Sequence, residues 1–199
     1  MSERPFLQRP ALDLIATGRT ILRSIASQID FDAPSWDLSF LRTRATGVSS
    51  VAYWTRYGTL DEPLPRHFID PIKAVVSMNL RSVTNAKIKA DAARFLWKSL
   101  EDRGVAERFR WETASTQDML EMERTMRQHV APSTTYKYCS AFSAVLEALA
   151  NAGVTPPMRV RWATPRPEDS ERYTLDGQEA RMEKLPSAEA LSALAEMYR

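Results

Sequence analysis

The sequence predicts a mainly α-helical protein, in which a small helical bundle follows a mixed, mostly helical N-terminal region. Three observations lead to this prediction. Residues 83–152 contain three apolar stripes at helical spacing, capping or breaking residues bound each stripe, and the connections between the stripes are short. Residues 1–81 are less regular, and residues 153–199 open on a proline-rich, charged stretch.

The N-terminal region contains two candidate helices and, between them, one segment that fits either a strand or a helix. Residues 10–29 carry apolar side chains at helical spacing, although Gly18 weakens the centre of that helix. Residues 48–57 are rich in β-branched and aromatic side chains and fit either a strand or a helix. We expect a further helix to start at Asp70, with Asp70 as its N-cap and Pro71 in the first helical position.

The first two helices of the bundle have clear boundaries. Ser82 or Thr84 can start the first helix and Gly104 can stop it. Ser115, with Asp118 three residues later, predicts a capping box for the second helix. The two apolar stripes comprise Ile88, Ala92, Phe95, Leu96 and Leu100, and then Met119, Met122, Met126 and Val130.

The third helix of the bundle is bounded by prolines and glycine. Pro132 separates it from the second helix, Ser133 can serve as its N-cap, and Gly153 follows its end. Its stripe comprises Tyr138, Cys139, Phe142, Val145, Leu146 and Leu149. Beyond it, residues 156–184 have the composition of a linker, and residues 185–199 begin one more helix. We therefore expect the chain to be the front part of a longer protein.

Composition excludes several classes of protein. The 199 residues are 44% hydrophobic and 26% charged, which is typical of a globular domain rather than of a disordered or fibrous chain. The sequence has neither an apolar run that could span a membrane nor the pattern of a signal peptide. One cysteine and two histidines provide no disulfide framework and no metal cluster. These features predict a cytoplasmic protein without a membrane or metal partner.

Catalytic motifs are also missing from the sequence. None of the nucleophile-elbow, P-loop, metalloprotease or C-x-x-C patterns occurs. Cys139 falls on an apolar stripe, which is typical of a buried small hydrophobic residue. We assign no catalytic residue and no cofactor to the chain.

Two helix starts are candidates for a nucleic-acid surface. Each combines cations with short hydrogen-bond donors at a helix N-terminus, an arrangement that suits phosphate oxygens, although capping and a solvated face would explain the same residues. The net charge of +2 does not decide between these alternatives. The predicted DNA-facing residues are Arg81, Thr84, Asn85, Lys87 and Lys89 at the first start and Thr134, Thr135, Lys137 and Tyr138 at the second.

The order of these features resembles the SAM-like core-binding domain of phage integrases and other tyrosine recombinases. The resemblance covers residues 82–199 and depends on order and spacing, because each motif alone is degenerate. The motifs are Thr84 with Ile88, Phe95-Leu96 and Leu100; Gly104; Trp111-Glu112-Thr113; Ser133-Thr134-Thr135-Tyr136; Gly153-Val154-Thr155-Pro156; and the tail from Lys184 to Leu194.

The resemblance implies a domain organisation and a function. Residues 82–155 would be the core-binding domain, residues 156–184 the linker and residues 185–199 the start of a catalytic domain. Residues 1–81 occupy the position where many integrases carry an additional DNA-binding region. The implied partners are double-stranded DNA and further copies of the recombinase, and the family's phosphotyrosine chemistry implies no metal or cofactor. The family's catalytic residues cannot be assigned in this chain, so the chain would hold DNA without cutting it.

Two other functions remain open from the sequence. The aromatic residues Trp36, Tyr53, Trp54 and Tyr57 could dock a protein partner on a helical interaction module, or they could simply pack in a core. The junction at Pro132 could belong to a helix-turn-helix regulator, but a long linker followed by a new helix fits such a regulator poorly.

Overall fold

The computed structural model of the chain describes residues 8–42 and 50–167, and it is mainly helical. This confirms the predicted fold class. In chain order the elements are α1 (Arg9–Ile25), β1 (Ser35–Asp37), β2 (Val51–Tyr53), α2 (Arg66–Met78), α3 (Val83–Asp102), α4 (Thr116–His129) and α5 (Pro132–Asn151). Short 3-10 turns lie at Ser39–Leu41, Ala106–Arg108 and Trp111–Thr113.

The chain divides into two compact units, Met1–Pro165 and Arg166–Arg199. The N-terminal region and the three-helix segment share the first unit, because α2 packs against α1, α3 and α5. The predicted boundary between residues 81 and 82 therefore falls in the short turn between α2 and α3, inside one packed body. The helix predicted within residues 185–199 lies outside the described residues.

The prediction for the start of α2 is wrong. The helix begins at Arg66 rather than at Asp70, Pro65 precedes its first residue, and Pro71 lies inside it. The backbone N–H groups of Phe68 and Ile69 both donate to the carbonyl of Pro65, at 3.0 Å each. The carboxylate of Asp70 does not cap the helix. It is buried and accepts from Arg66, one turn earlier, at 3.3 Å.

The structure resolves the alternatives for residues 50–57, whereas residues 48 and 49 lie outside the described residues. Val51–Tyr53 is a strand, and it pairs antiparallel with Ser35–Asp37 in a two-stranded sheet. Trp36 in β1 and Trp54 directly after β2 are buried, with their ring centroids 5.0 Å apart in an edge-to-face arrangement. Core packing therefore accounts for these two tryptophans.

The boundaries of α3 and α4 agree with the sequence prediction. The Ser82 hydroxyl accepts from the backbone N–H of Asn85, and Gly104 takes the left-handed conformation after the helix, at φ +68°. At α4, Ser115 and Asp118 form the predicted capping box in both directions. These local hydrogen bonds satisfy backbone groups that a helix end would otherwise leave unpaired.

The start of α5 differs from the prediction. Ala131 is the N-cap, Pro132 is the first helical residue, and Ser133 lies inside the helix rather than capping it. Proline suits this position because its fixed φ is helical and its missing N–H would have no partner there. The helix ends at Asn151, and Gly153 follows at φ +71°, as the sequence predicts.

An aromatic cluster around Phe68 joins α2 to α3 and to the segment after α3. Phe68 lies 5.0 Å from Trp97, 5.7 Å from Phe109 and 5.6 Å from Trp111, measured between ring centroids. The Trp111 indole N–H also donates to the Phe68 carbonyl at 2.9 Å. The cluster fixes the orientation of α3, which carries the first of the two predicted DNA-facing helix starts.

Candidate nucleic-acid interface

The start of α3 presents a small polar and cationic surface. Arg81, Thr84 and Asn85 are exposed, and Lys87 is half-buried. Within the described ranges, Arg81 and Lys87 form no ion pair or hydrogen bond, so their charges are available to a ligand. Four of the five residues predicted at this start therefore lie where a phosphate could reach them.

The fifth residue, Lys89, does not share that surface. Lys89 is only 6% exposed, and burial lowers the pKa of its ammonium group. It lies on the inner side of α3 with Ala86 and Ala90, which are also buried. The prediction placed Lys89 facing DNA, whereas the structure removes it from the exposed set. The reason is that α3 is covered by other elements on more than one side, so its buried face is wider than the stripe identified from the sequence.

Replacing Lys89 with methionine should stabilise the protein by about 1 kcal/mol. The substitution keeps the length of the side chain and removes a cation that has no partner in the described part of the chain, so a desolvation cost is relieved. Urea unfolding followed by circular dichroism would measure the change. Lys87→Met, at a half-buried position nearby, is the matched control and should leave stability within about 0.5 kcal/mol. A loss of stability in the Lys89 variant would contradict this account of its environment.

The start of α5 contributes fewer exposed groups than the sequence predicts. Lys137 is exposed and, among the described residues, has no ion pair or hydrogen bond. Thr134 is half-buried, whereas Thr135 is 0% exposed and its hydroxyl donates to the Ala131 carbonyl at 3.3 Å. Thr135 is therefore also removed from the exposed set, because its side chain is used within the first turn of the helix.

Tyr138 connects α5 to α3. Its hydroxyl donates to Asp91 Oδ2 at 3.2 Å, and its ring centroid lies 6.1 Å from that of Phe95. Burial, followed by the neighbouring Asp91 carboxylate, raises the pKa of the phenol well above its ordinary value. Tyr138 is half-buried and holds the two helices together, so its hydroxyl is already occupied.

The segment after α5 holds two arginines that the sequence analysis passed over as linker. Residues 152–165 have no helix or strand, yet Val154, Thr155 and Thr164 are buried and Met158, Val160 and Trp162 pack against the core. Arg159 and Arg161 alternate with these apolar residues and are exposed. An open groove of about 670 Å³ separates the segment from α5. In the sequence, the alternation of arginine with apolar residues was the signal for a packed segment. The surrounding prolines led instead to the prediction of a linker.

The cations of the described residues differ in whether internal partners occupy them. Arg23, Arg108 and Arg127 are exposed and have no side-chain ion pair or hydrogen bond in the described ranges. Around α1, α2 and the sheet, most are occupied: Arg19 pairs with Asp32, Arg66 pairs with Asp32 and Asp70, and Lys73 donates to two backbone carbonyls. At the start of α3, the start of α5 and the segment after α5, cations lack such partners within the described ranges. These are Arg81, Lys87, Lys137, Arg159 and Arg161.

Metal-ligating side chains do not cluster in the described part of the chain. The described residues include no group of three or more histidine, cysteine, aspartate or glutamate residues that could hold a metal ion. Cys139 is fully buried, and burial raises the pKa of its thiol to about 12, so the thiol stays protonated and unreactive. For His67, in contrast, burial lowers the pKa of the imidazole.

None of the helices in the described ranges has the length and apolarity that crossing a membrane requires.

Comparisons with protein-family models, curated proteins and solved structures give no match to the chain. The unpartnered cations and the packing around them are therefore the basis for a functional conclusion.

Proposed function

We propose that the chain is a DNA-binding module, the N-terminal portion of a tyrosine site-specific recombinase, and that it holds duplex DNA during strand exchange. The observation that carries the proposal is the set of cations without partners at two helix starts. They are Arg81 just before α3, Lys87 on α3 and Lys137 on α5. Cations that are not committed to internal ion pairs can exchange their counterions for phosphates. The hydroxyl of Thr84 and the amide of Asn85 add neutral donors beside them.

The family assignment is supported by the order of the sequence motifs and by the helices in which they lie. Thr84, Phe95-Leu96 and Leu100 share α3, and Ser133 to Tyr136 open α5. In this proposal the described helices after residue 82 form the SAM-like core-binding domain. The partners are double-stranded DNA and further copies of the recombinase on that DNA, in the cytoplasm. Because phosphate contacts position a protein without reading bases, we expect this surface to bind duplexes of any sequence.

The double variant Lys87→Ala with Lys137→Ala tests the surface directly. It should weaken binding to a random-sequence duplex on the order of tenfold or more and should reduce the slope of log affinity against log salt by about 2, since each lost phosphate contact removes about 1. Fluorescence anisotropy at several salt concentrations measures both quantities. A matched control, Arg23→Ala with Arg108→Ala, removes two exposed cations from α1 and from the turn after α3. Equal effects of the two double variants would contradict this assignment of the site.

A further inference from the structure

The segment after α5 is attached to the bundle by side chains on two helices. The Trp162 indole N–H donates to the Ser143 hydroxyl of α5 at 2.8 Å. Glu123 of α4 accepts from the backbone N–H of Ala163 at 2.9 Å and from that of Thr164 at 2.5 Å, with one carboxylate oxygen each. We refer to residues 158–164 as the arm.

Glu123 is an unusual residue to find on the inner side of a helix. It is 1% exposed, and burying a carboxylate is costly unless hydrogen bonds replace its hydration. The two N–H groups that replace that hydration both come from the arm. These two N–H groups compensate the buried carboxylate charge, and the carboxylate is in turn their hydrogen-bond acceptor. The arm is thereby held against α4 in one position.

The two arginines of the arm alternate with apolar residues along the chain. Met158, Val160 and Trp162 pack against the core, whereas Arg159 and Arg161 between them are exposed. Arg159 also lines the groove between the arm and α5. In an extended chain, residues two apart on one side are separated by roughly 6.5 Å. Neither arginine has an ion pair or hydrogen bond within the described residues. Guanidinium groups suit phosphate oxygens because their planar fork donates two hydrogen bonds at once.

We propose that the arm is a second DNA-contacting element, in which Arg159 and Arg161 bind phosphates of the duplex, and that Glu123 is a positioning residue that holds the arm for this contact. The inference rests on the proposed function and extends its surface beyond the two helix starts. Glu147 lies in the groove between α5 and the arm, so one carboxylate limits how closely a phosphate approaches that side.

The first experiment removes the arginines from the full chain. Arg159→Ala with Arg161→Ala should reduce the slope of log affinity against log salt by about 2 for a random-sequence duplex and should weaken binding on the order of tenfold or more. The matched control is again Arg23→Ala with Arg108→Ala, which removes the same charge. An arm variant that binds as tightly as this control, with the same slope, overturns the proposal.

The second experiment replaces Glu123 with glutamine. Added positive charge and release of the arm would change DNA affinity in opposite directions, so the measurement separates them. Glu123→Gln makes the chain one charge more positive, so general electrostatics would strengthen DNA binding. A released arm would instead weaken it, toward the affinity of the double-arginine variant. Glu121, on the same helix, accepts from Gln117 and pairs with Arg124. Glu121→Gln makes the same change of charge and should bind DNA at least as tightly as the wild type. Tighter binding by Glu123→Gln overturns the positioning role.

A readout without DNA separates release of the arm from unfolding. Trypsin cleaves after arginine, and the attached arm should resist cleavage at Arg159 and Arg161 in the wild type but lose that protection in Glu123→Gln. If Glu123→Gln is unfolded at the assay temperature, Ser143→Ala takes its place. That variant removes the acceptor of the Trp162 N–H and should show the same two changes at smaller amplitude, whereas wild-type protection and affinity would contradict the proposal.

The failures of the two proposals are distinguishable. If the wild-type chain does not bind duplex DNA at low salt, the proposed function fails and the arm's role in binding fails with it. If the wild type binds and loses affinity through Lys87 and Lys137 but not through Arg159 and Arg161, the proposed function stands and only the arm proposal is overturned.

Discussion

Replacing Gly18 with alanine is expected to destabilise the protein by about 3 kcal/mol, although alanine is the better helix former. Gly18 lies in α1 where it crosses α2. A Cβ atom added at this position would lie 2.5 Å from the Cα of Ala74 and 2.6 Å from its Cβ. Both are closer than real Cβ contacts, and the Cα belongs to the backbone of α2, so the two helices would have to separate.

The control for Gly18 is the reverse substitution, alanine to glycine, at an exposed position of the same helix. In an exposed helix interior, glycine costs about 1 kcal/mol relative to alanine, so Ala16→Gly, at an exposed position of the same helix, should lose about that much. Helix propensity alone would make Gly18→Ala gain about the same amount. Urea unfolding monitored by circular dichroism compares both variants with the wild type. A more stable Gly18 variant would contradict the close crossing of α1 and α2.

Replacing Lys73 with methionine is expected to cost about 3 kcal/mol. The Lys73 ammonium, on α2, donates to the carbonyls of Phe31 and Ala33 at 2.9 Å each, and it lies 5.8 Å from the ring centroids of Phe31, Trp36 and Trp54. Burial lowers the pKa of this ammonium to about 8, so keeping the charge inside has a cost. The variant relieves that cost but leaves two carbonyls without their donor and removes one of the cations near the buried Asp70, which together are the larger effect.

Lys98→Met is the matched control for Lys73. Lys98 forms an ion pair with Asp102 on the surface of α3, at 3.1 Å, and such exposed pairs contribute little. We expect this control to change the free energy of unfolding by less than about 1 kcal/mol, measured by the same urea titration. Equal losses in the two variants would show that Lys73 does not hold the segment before the sheet to α2.

Features that depend on neighbours in the sequence were predictable. Ser115 and Asp118 cap the helix that begins between them, and Gly104 and Gly153 take the backbone conformations that end α3 and α5. Each of these signals acts over a few residues. The same reasoning failed at Asp70-Pro71, because Arg66 provides a partner for the carboxylate one turn earlier and the helix accommodates the proline internally.

Features that depend on distant partners were not predictable. Gly18 looked like a weakness in α1, yet it is the position that allows α2 to approach. Lys89 and Thr135 looked like surface donors because the sequence indicates one apolar stripe per helix, whereas packing covers a wider face. Arg159 and Arg161 were assigned to a linker because the attachment of the arm depends on Glu123 and Ser143, which precede it on other elements.

The central claim is that this surface binds duplex DNA through phosphates, and a salt titration of the wild-type chain tests it most directly. Fluorescence anisotropy with a random-sequence duplex should show binding at low salt. The logarithm of the affinity should then fall linearly with the logarithm of salt concentration, with a slope of about −4 to −5 if Arg81, Lys87, Lys137, Arg159 and Arg161 each contact a phosphate. Absence of binding at low salt, or an affinity independent of salt, would contradict the account.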